Sequence, residues 1–425
     1  MLPIKDLYDD FFAKCSCVAT DSRNIPPQSL FFALHGASFD GNGFVCEALD
    51  KGAAYAVADS DAPLESRPDL ADRIIRTDDT LRTLQELARE HRRRLEIPII
   101  GIVGSNGKTT TKELVARVLA EKFEVAYTRG NLNNHIGVPL TLLAMTRDTQ
   151  IGVVEMGASA CGEIALLASI AEPNYGIITN IGRSHLEGFG GVEGIRRGKG
   201  ELFDFLAENG GTAFVPIEDA TLAEMAAERE NMAVEYYSRT IADGIASRLE
   251  GEYNRANIAA AAEAGIYFGI DAERIAHAIG SYEPTNNRSQ RVESGRNSLI
   301  VDCYNANPSS MAAAIENMRA NTAGRKLLIL GDMLELGQWS DGEHDTALQA
   351  AAAIDGAEIL LVGDNFRRAA ERYAASGADD AECRIETFAD ADALATRLTA
   401  NPPTGYTVLI KGSHGIALEK IINLL

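Results

Sequence analysis

The chain has 425 residues, of which 46% are hydrophobic and 24% charged, and this balance predicts a soluble protein with two or three domains. Its formal net charge of −21 argues against general nucleic-acid or acidic-membrane binding, which needs a basic surface. No apolar stretch approaches the ~20 residues of a bilayer-crossing helix, and the first six residues lack the basic-then-apolar order of a secretory leader, so a cytoplasmic location is expected.

In chain order, a first block runs to about residue 78. Residues 29–34 and 53–58 read as strands, and 45–51 as a short helix closed by Gly52. Leu81, Leu84, Leu87 and Ala88 then mark one face of a connecting helix. Its end, His91-Arg92-Arg93-Arg94, reads as a solvated helix terminus rather than a polyanion site. The apolar run 97–100 leads directly into Gly101-Ile102-Val103-Gly104-Ser105-Asn106-Gly107-Lys108-Thr109-Thr110. Glycines there let backbone N–H groups approach a phosphate, and a helix starting near Lys108 adds favourable partial charge. Lys108 can reach terminal phosphates and the Thr109 hydroxyl can serve Mg²⁺. The glycine spacing departs from the usual pattern, with Ile102 where a glycine is expected, but strand, turn and helix signals agree. A nucleoside triphosphate is the expected ligand.

Residues 151–155, 176–180 and 212–215 read as buried strands, separated by helical stretches and followed by helices near 257–268 and 272–279. This alternation predicts a largely parallel α/β sheet. Residues 284–287 look like a linker. A second open sheet follows, with strands at 298–302, 326–330, 358–362 and 407–410. Gly331-Asp332, Gly363-Asp364 and Lys411-Gly412 each follow a strand and are expected to line a cleft. Six cysteines (Cys15, Cys17, Cys46, Cys161, Cys303, Cys383) complete no zinc pattern and read as reduced thiols.

Single residues leave their roles open. Glu155, at a strand end near the phosphate loop, is either a metal-binding acid or a loop carboxylate. His185 is either a ligand or a packed histidine. Lys199 alone would be a surface lysine, and residues 131–135 form a polar loop with no legible chemistry.

Taken together and in order, these segments resemble the Mur ligases, ATP-dependent amide-forming enzymes of peptidoglycan precursor synthesis. The resemblance rests on 104–110, on 130–139 (Gly-Asn-Leu-Asn-Asn-His-Ile-Gly-Val-Pro), on Glu155-Met156-Gly157, and on Asn180-Ile181 with His185. The odd glycine spacing is also the Mur version. Residues 302–311 and 330–337 resemble the branch that adds D-alanyl-D-alanine to UDP-N-acetylmuramoyl-tripeptide. Thr20-Asp21-Ser22-Arg23, followed by 30–36, resembles its uridine-nucleotide domain.

The resemblance implies an α/β protein of three domains: a mixed α/β uridine-nucleotide-binding domain at 1–78, a central parallel-sheet P-loop ATPase domain at 79–284, and a C-terminal Rossmann-like α/β domain at 285–425. It implies ATP held by Gly104, Ser105, Asn106, Gly107, Lys108, Thr109 and Thr110. Asn254 and Asn257 would lie on the adenine side, and Arg288 and Asp302 would close from beyond the linker. Mg²⁺ would sit at Thr109, with a second ion at Glu155, His185 and a Lys199 carbamylated by CO₂. The catalytic set would be Lys108, Glu155, His185 and Lys199, with Ser22, Arg23, Asn133, Asn134, Asn305 and Asn307 touching the two substrates. A monomer with no nucleic-acid partner and no membrane insertion is implied.

Two departures stand out. The family often has Lys-Gly-Ser-Arg where this chain has Lys411-Gly412-Ser413-His414, and Asp-Gly-His is common where it has Gly41-Asn42-Gly43. Rival readings are another Mur-type amino-acid ligase, a folylpolyglutamate synthase, or a regulatory ATPase with no peptide acceptor.

Overall fold

The computed structural model describes residues 2–36, 39–249, 251–284, 288–321, 324–377 and 384–425, so Cys383 and the linker residues 285–287 lie outside the described part. Three main sheets follow one another along the chain. The first is parallel, in the order β1-β2-β5-β6, from β1 (Val18–Ala19), β2 (Leu30–Phe32), β5 (Tyr55–Ala58) and β6 (Ile74–Arg76). A small antiparallel hairpin, β3 (His35–Gly36) and β4 (Phe39–Asp40), projects beside it.

The second sheet is wholly parallel: β12 (Ala233–Tyr237), β11 (Thr212–Pro216), β10 (Tyr175–Ile178), β7 (Ile99–Val103), β9 (Ile151–Glu155) and β8 (Val125–Tyr127). Every residue of β7 and β9 is buried, because helices cover both faces of the sheet. Helices Lys108–Leu119, Tyr253–Tyr267 and Ala272–Gly280 pack on one face, and Thr80–Leu95, Gly137–Leu143, Glu163–Ala171 and Val192–Asn209 on the other. The third sheet runs β13 (Gln290–Glu293), β14 (Ser298–Asp302), β18 (Tyr406–Lys411), β15 (Arg325–Gly331), β16 (Glu358–Val362) and β17 (Arg384–Phe388), with only β13 antiparallel. One contiguous apolar core links all three units, through residues such as Phe32, Leu84, Phe203, Met311 and Leu348. The three-domain α/β architecture is the one expected.

The helix Thr80–Leu95 is capped by the Asp79 carboxylate, which accepts the Arg82 N–H at 2.9 Å, and it ends at a left-handed Glu96. Its basic end departs from the sequence reading. His91 and Arg92 fall at helical spacing from Leu84 and Ala88, so they turn inward with the apolar face. His91 Nε2 meets the Met145 carbonyl at 2.9 Å, and burial lowers its pKa. The Arg92 guanidinium donates to the Ala171 and Glu172 carbonyls and to Asn174 Oδ1. Only Arg93 and Arg94 form the solvated end.

A second difference concerns the third sheet. Asp332 is buried and its two oxygens accept the Asn365 and Phe366 N–H groups at 2.9 and 2.8 Å, capping the helix Asp364–Ala375. Gly363 packs against that carboxylate with φ +112, where a Cβ would lie 2.4 Å from Asp332 Cγ. Gly331-Asp332 and Gly363-Asp364 therefore build an internal cap, and neither pair lines the cleft. Lys411, from the third expected pair, does line it. Among the described residues no helix is long and apolar enough to cross a membrane, and the five described cysteines are free thiols.

Candidate active site

Parallel strands deliver their following loops to one edge of a sheet, and here two such edges meet. The carboxyl ends of β7, β9 and β10 bring Gly104–Lys108, Glu155 and Asn180 together. Across from them β14 and β18 deliver Asp302 and Lys411 in direct register. Between the two edges lies a cavity of about 1040 Å³.

The phosphate loop is preset by its neighbours. Asn106 N–H donates to Asn180 Oδ1 at 3.1 Å, and Asn180 Nδ2 returns a bond to the Asn106 carbonyl at 3.0 Å. Ser105 Oγ bridges to Gly182. Gly107 has φ +79, and a Cβ there would sit 2.4 Å from Asn257 Oδ1, so the turn admits only glycine. The helix Lys108–Leu119 starts immediately after it. Lys108 Nζ curls back to the Gly104 and Ser105 carbonyls at 2.7 and 3.3 Å. Burial, only partly offset by Glu155, lowers its pKa to about 8.

Glu155 lies at the floor and is 1% exposed. Its Oε1 accepts Thr109 Oγ1 at 3.2 Å and Asn133 Nδ2 at 2.8 Å, while Oε2 has no hydrogen-bond partner. Its own N–H donates to Thr128 Oγ1 at 3.0 Å, and the Thr128 carbonyl takes a bond from the fully buried Lys112 at 2.8 Å. A buried carboxylate oxygen with no hydrogen-bond partner, beside a hydroxyl, is a donor pair whose chemistry suits a hard cation. Among the described residues, though, no three His, Cys, Asp or Glu side chains already converge on one point.

His185 is left-handed (φ 51) and gives its Nδ1 to the Glu335 carboxylate, which reaches over from the third sheet's side. Burial favours the neutral imidazole, so Nε2 carries the free lone pair. Lys199 does not line the cavity. It is fully buried behind the Ala158 segment, its Nζ on the Ala158 carbonyl at 3.0 Å and 4.8 Å from the Phe189 ring centroid. Burial, reinforced by Lys108, drives its pKa well below the usual lysine range.

Asn254 and Asn257 line the cavity side by side, Asn257 Nδ2 donating to Asn254 Oδ1 at 2.8 Å. Arg288 lies 3.8 Å from the Tyr304 ring centroid, and Asp302 pairs with Lys411 at 2.5 Å. Asn133, Asn134, Asn305 and Asn307 all line the cavity. Asn134 Oδ1 accepts the Ile136 and Gly137 N–H groups ahead of the helix Gly137–Leu143. Asn307 spans the cleft, its Nδ2 on Asn106 Oδ1 at 2.7 Å. Ser22 and Arg23 are elsewhere: Arg23 is exposed and paired with Asp21 on the first unit, away from the cavity wall. Sequence reasoning missed Tyr304, Ser309 and Glu335 as lining residues. Tyr304 and Glu335 stood inside the two segments that carried the family resemblance, which was the available signal.

A Mur ligase middle domain model matches residues 102–265, a Mur ligase glutamate ligase domain model matches 287–414, and a Mur ligase family catalytic domain model matches 14–92. The UDP-N-acetylmuramoyl-tripeptide–D-alanyl-D-alanine ligase of Bacillus subtilis is 35% identical over 95% of this chain and 92% of its own length. The chain belongs to the Mur ligase family. Among solved structures, a MurF from Acinetobacter baumannii superposes with TM-score 0.82 at 28% identity, covering 96% of this chain and 93% of that one. The MurF ligase of Thermotoga maritima, solved in complex with ADP, also gives 0.82, at 24% identity and 98% coverage of both chains, a likeness of fold. This Mur ligase therefore matches three of the family's domain models in succession along one chain.

Proposed function

We propose that the protein joins D-alanyl-D-alanine to UDP-N-acetylmuramoyl-tripeptide at the expense of ATP, giving the UDP-MurNAc-pentapeptide of peptidoglycan synthesis. The observation that carries this is the convergence of a Mur-type phosphate loop, an open-valence Glu155 and the third-unit residues Arg288, Asp302 and Asn307 on one cleft. The 35% identical relative carries the same activity in its name.

The reaction sets an anionic carboxylate against an anionic triphosphate. The tripeptide carboxylate oxygen attacks the γ-phosphorus, the bond to ADP breaks, and an acyl phosphate forms. The amine nitrogen then adds to the acyl carbon, loses a proton and expels phosphate. Lys108 and the loop N–H groups offset the repulsion and hold the charge that develops on transfer. Lys108's bonds to its own loop carbonyls are the ones a phosphate would replace. Asn254 and Asn257 take the adenine side, while Arg288 and Asp302 close the cleft and keep water from the acyl phosphate. Asn133, Asn134, Asn305 and Asn307 offer amides to the substrates, and Ser22 with Arg23 serve the uridine end from the first unit.

The residues present fit Mg²⁺: Glu155 Oε2 is an unpartnered hard donor, next to the Thr109 hydroxyl. Thr109 would hold one ion, and Glu155, His185 and Lys199, the lysine as its carbamate, would hold a second. Bound there, Mg²⁺ would draw negative charge off the phosphate and acyl oxygens. Burial lowers the Lys199 pKa and so favours the neutral amine form that CO₂ carbamylates.

The domain boundaries proposed are 78/79 and 284/285, supported by the gaps between β6 and Thr80 and between Gly280 and β13. A cytoplasmic location is supported by the five described cysteines, all free thiols, and a monomer is part of the same proposal. The test is phosphate release from Mg-ATP with UDP-MurNAc-tripeptide, with and without D-alanyl-D-alanine, following the product by mass. Release that needs both substrates and yields the pentapeptide supports the ligase. Release indifferent to both refutes it.

A further inference from the structure

The helix Lys108–Leu119 carries two lysines one turn apart, on one face. Lys108 serves the phosphate loop. Lys112 is fully buried and does not line the cavity. Its Nζ donates to the Thr128 carbonyl at 2.8 Å and pairs with Glu113 at 2.7 Å, and the Tyr127 ring centroid lies 5.5 Å away. An apolar side chain of similar length would fill that space with no charge to desolvate, so packing alone does not call for a lysine.

What the ammonium holds is the start of the segment that brackets Glu155. Thr128 Oγ1 accepts the Glu155 N–H at 3.0 Å. Further along, Asn133 Nδ2 donates to Glu155 Oε1 at 2.8 Å, and the Asn133 carbonyl accepts the Gly157 N–H at 2.8 Å. One loop thus grips Glu155 by its backbone, by its side chain and just beyond it, and that grip sets where the open Oε2 lies. The loop springs from the sheet's short edge strand. β8 is three residues long, half-buried throughout, and paired on one side only, with β9. An edge strand leaves one row of its backbone groups without a ladder partner. Lys112 adds a tie from outside the ladder, and it does so from the helix that begins at the phosphate loop.

We infer that Lys112 and Thr128 are positioning residues for the metal-binding carboxylate. Lys112 locks the 128–133 loop to the phosphate-loop helix, and Thr128 fixes the Glu155 backbone. The bound phosphates and the open Glu155 oxygen thereby keep a set spacing, although neither Lys112 nor Thr128 reaches the cavity. This role rests on the reading of Glu155 as a Mg²⁺ ligand, and not on which amine the protein joins.

The test is a Mn²⁺ titration of the full chain loaded with a non-hydrolysable ATP analogue, read by electron paramagnetic resonance beside a thermal melt. Lys112→Met and Thr128→Val are each expected to raise the Mn²⁺ Kd about tenfold, the lower end of what losing a partner behind a metal ligand costs. Thr128→Ser keeps the hydroxyl and recovers wild-type binding. The double variant Lys112→Met with Thr128→Val adds little to the larger single effect, because both act through one loop. Full additivity would break the chain from Lys112 to Glu155 and overturn the inference. A lowered melting temperature with an unchanged Mn²⁺ Kd means that the two residues only hold the fold, and the inference falls. If Lys112→Met does not fold, the Thr128 pair decides. Glu155→Gln is the reference. An unchanged Kd there overturns the reading of Glu155 and this role with it. A raised Kd there, with none in the Lys112 or Thr128 variants, overturns this role alone.

Discussion

Lys108 spends its hydrogen bonds on the carbonyls of its own loop, and it does so with a pKa lowered to about 8. A triphosphate would restore the charged form, so nucleotide binding takes up a proton above that pH. The sign follows: affinity for ATP is flat between pH 7 and 8 and falls above 8, by up to about tenfold per pH unit. Calorimetric titration across pH 7 to 10 checks this, and an affinity that rises with pH would contradict it. Lys108→Ala lowers turnover by at least about 10²-fold, the scale of losing one charge-stabilising group. Glu155→Gln keeps the bonds to Thr109 or Asn133 but removes the anionic charge at its open oxygen. The Mg²⁺ concentration for half-maximal phosphate release is expected to rise about tenfold or more. At this scale the sequence was legible where chemistry is local: Lys108 and Thr109 sit in a loop whose neighbours explain them. His185 was not, because its partner Glu335 lies 150 residues away. Lys199 shows the same limit, since nothing in Arg197-Gly198-Lys199-Gly200 announces complete burial.

Among elements, the strands of each sheet's interior were legible and the edges were not. β2, β5, β7, β9, β10, β11, β14, β15, β16 and β18 all lie inside their sheets, and each reads as a continuous apolar run because both faces are covered. The strands that sequence passed over, β1, β6, β8, β12, β13 and β17, are the edges of the three sheets. Ala233–Tyr237 shows why: it is exposed or half-buried except at Tyr237, so its residues carry no burial pattern to read. The basic helix end failed for a related reason, since His91 and Arg92 are polar residues on an apolar face. The phosphate turn gives this scale its prediction. Gly107→Ala places a methyl 2.4 Å from Asn257 Oδ1 at φ +79, which costs about 1–3 kcal/mol of strain. Thermal melting should fall by several degrees and ATP binding should be lost, while Gly377→Ala, at φ +71 with open space around it, lowers the melting temperature without touching ATP affinity.

Over the whole molecule, the third unit meets the central one through the shared apolar core and, around the cleft, through a set of polar contacts. Arg183 pairs with Glu343 and donates its N–H to Ser309 Oγ at 2.7 Å, Asn307 meets Asn106, and Glu335 meets His185. Polar contacts at the mouth of a cleft exchange with water more readily than the packed core beside them. Arg183→Ala should therefore broaden the distribution of domain separations in small-angle scattering, with added ATP and UDP-substrate narrowing it again. An unchanged scattering profile would mean that Arg183 does not hold the units together. Sequence placed these units in order but could not pair their faces, since no local pattern encodes a contact between residues 106 and 307. The side chains of Lys112, Lys199 and Lys411 are at most 1% exposed, the first two in the central unit and the last in the third. A water-borne amine reagent larger than CO₂ can mark each only when its unit opens. Pulse labelling of these three against the surface lysines would therefore time the breathing of the central and third units separately, with the chain supplying its own clocks.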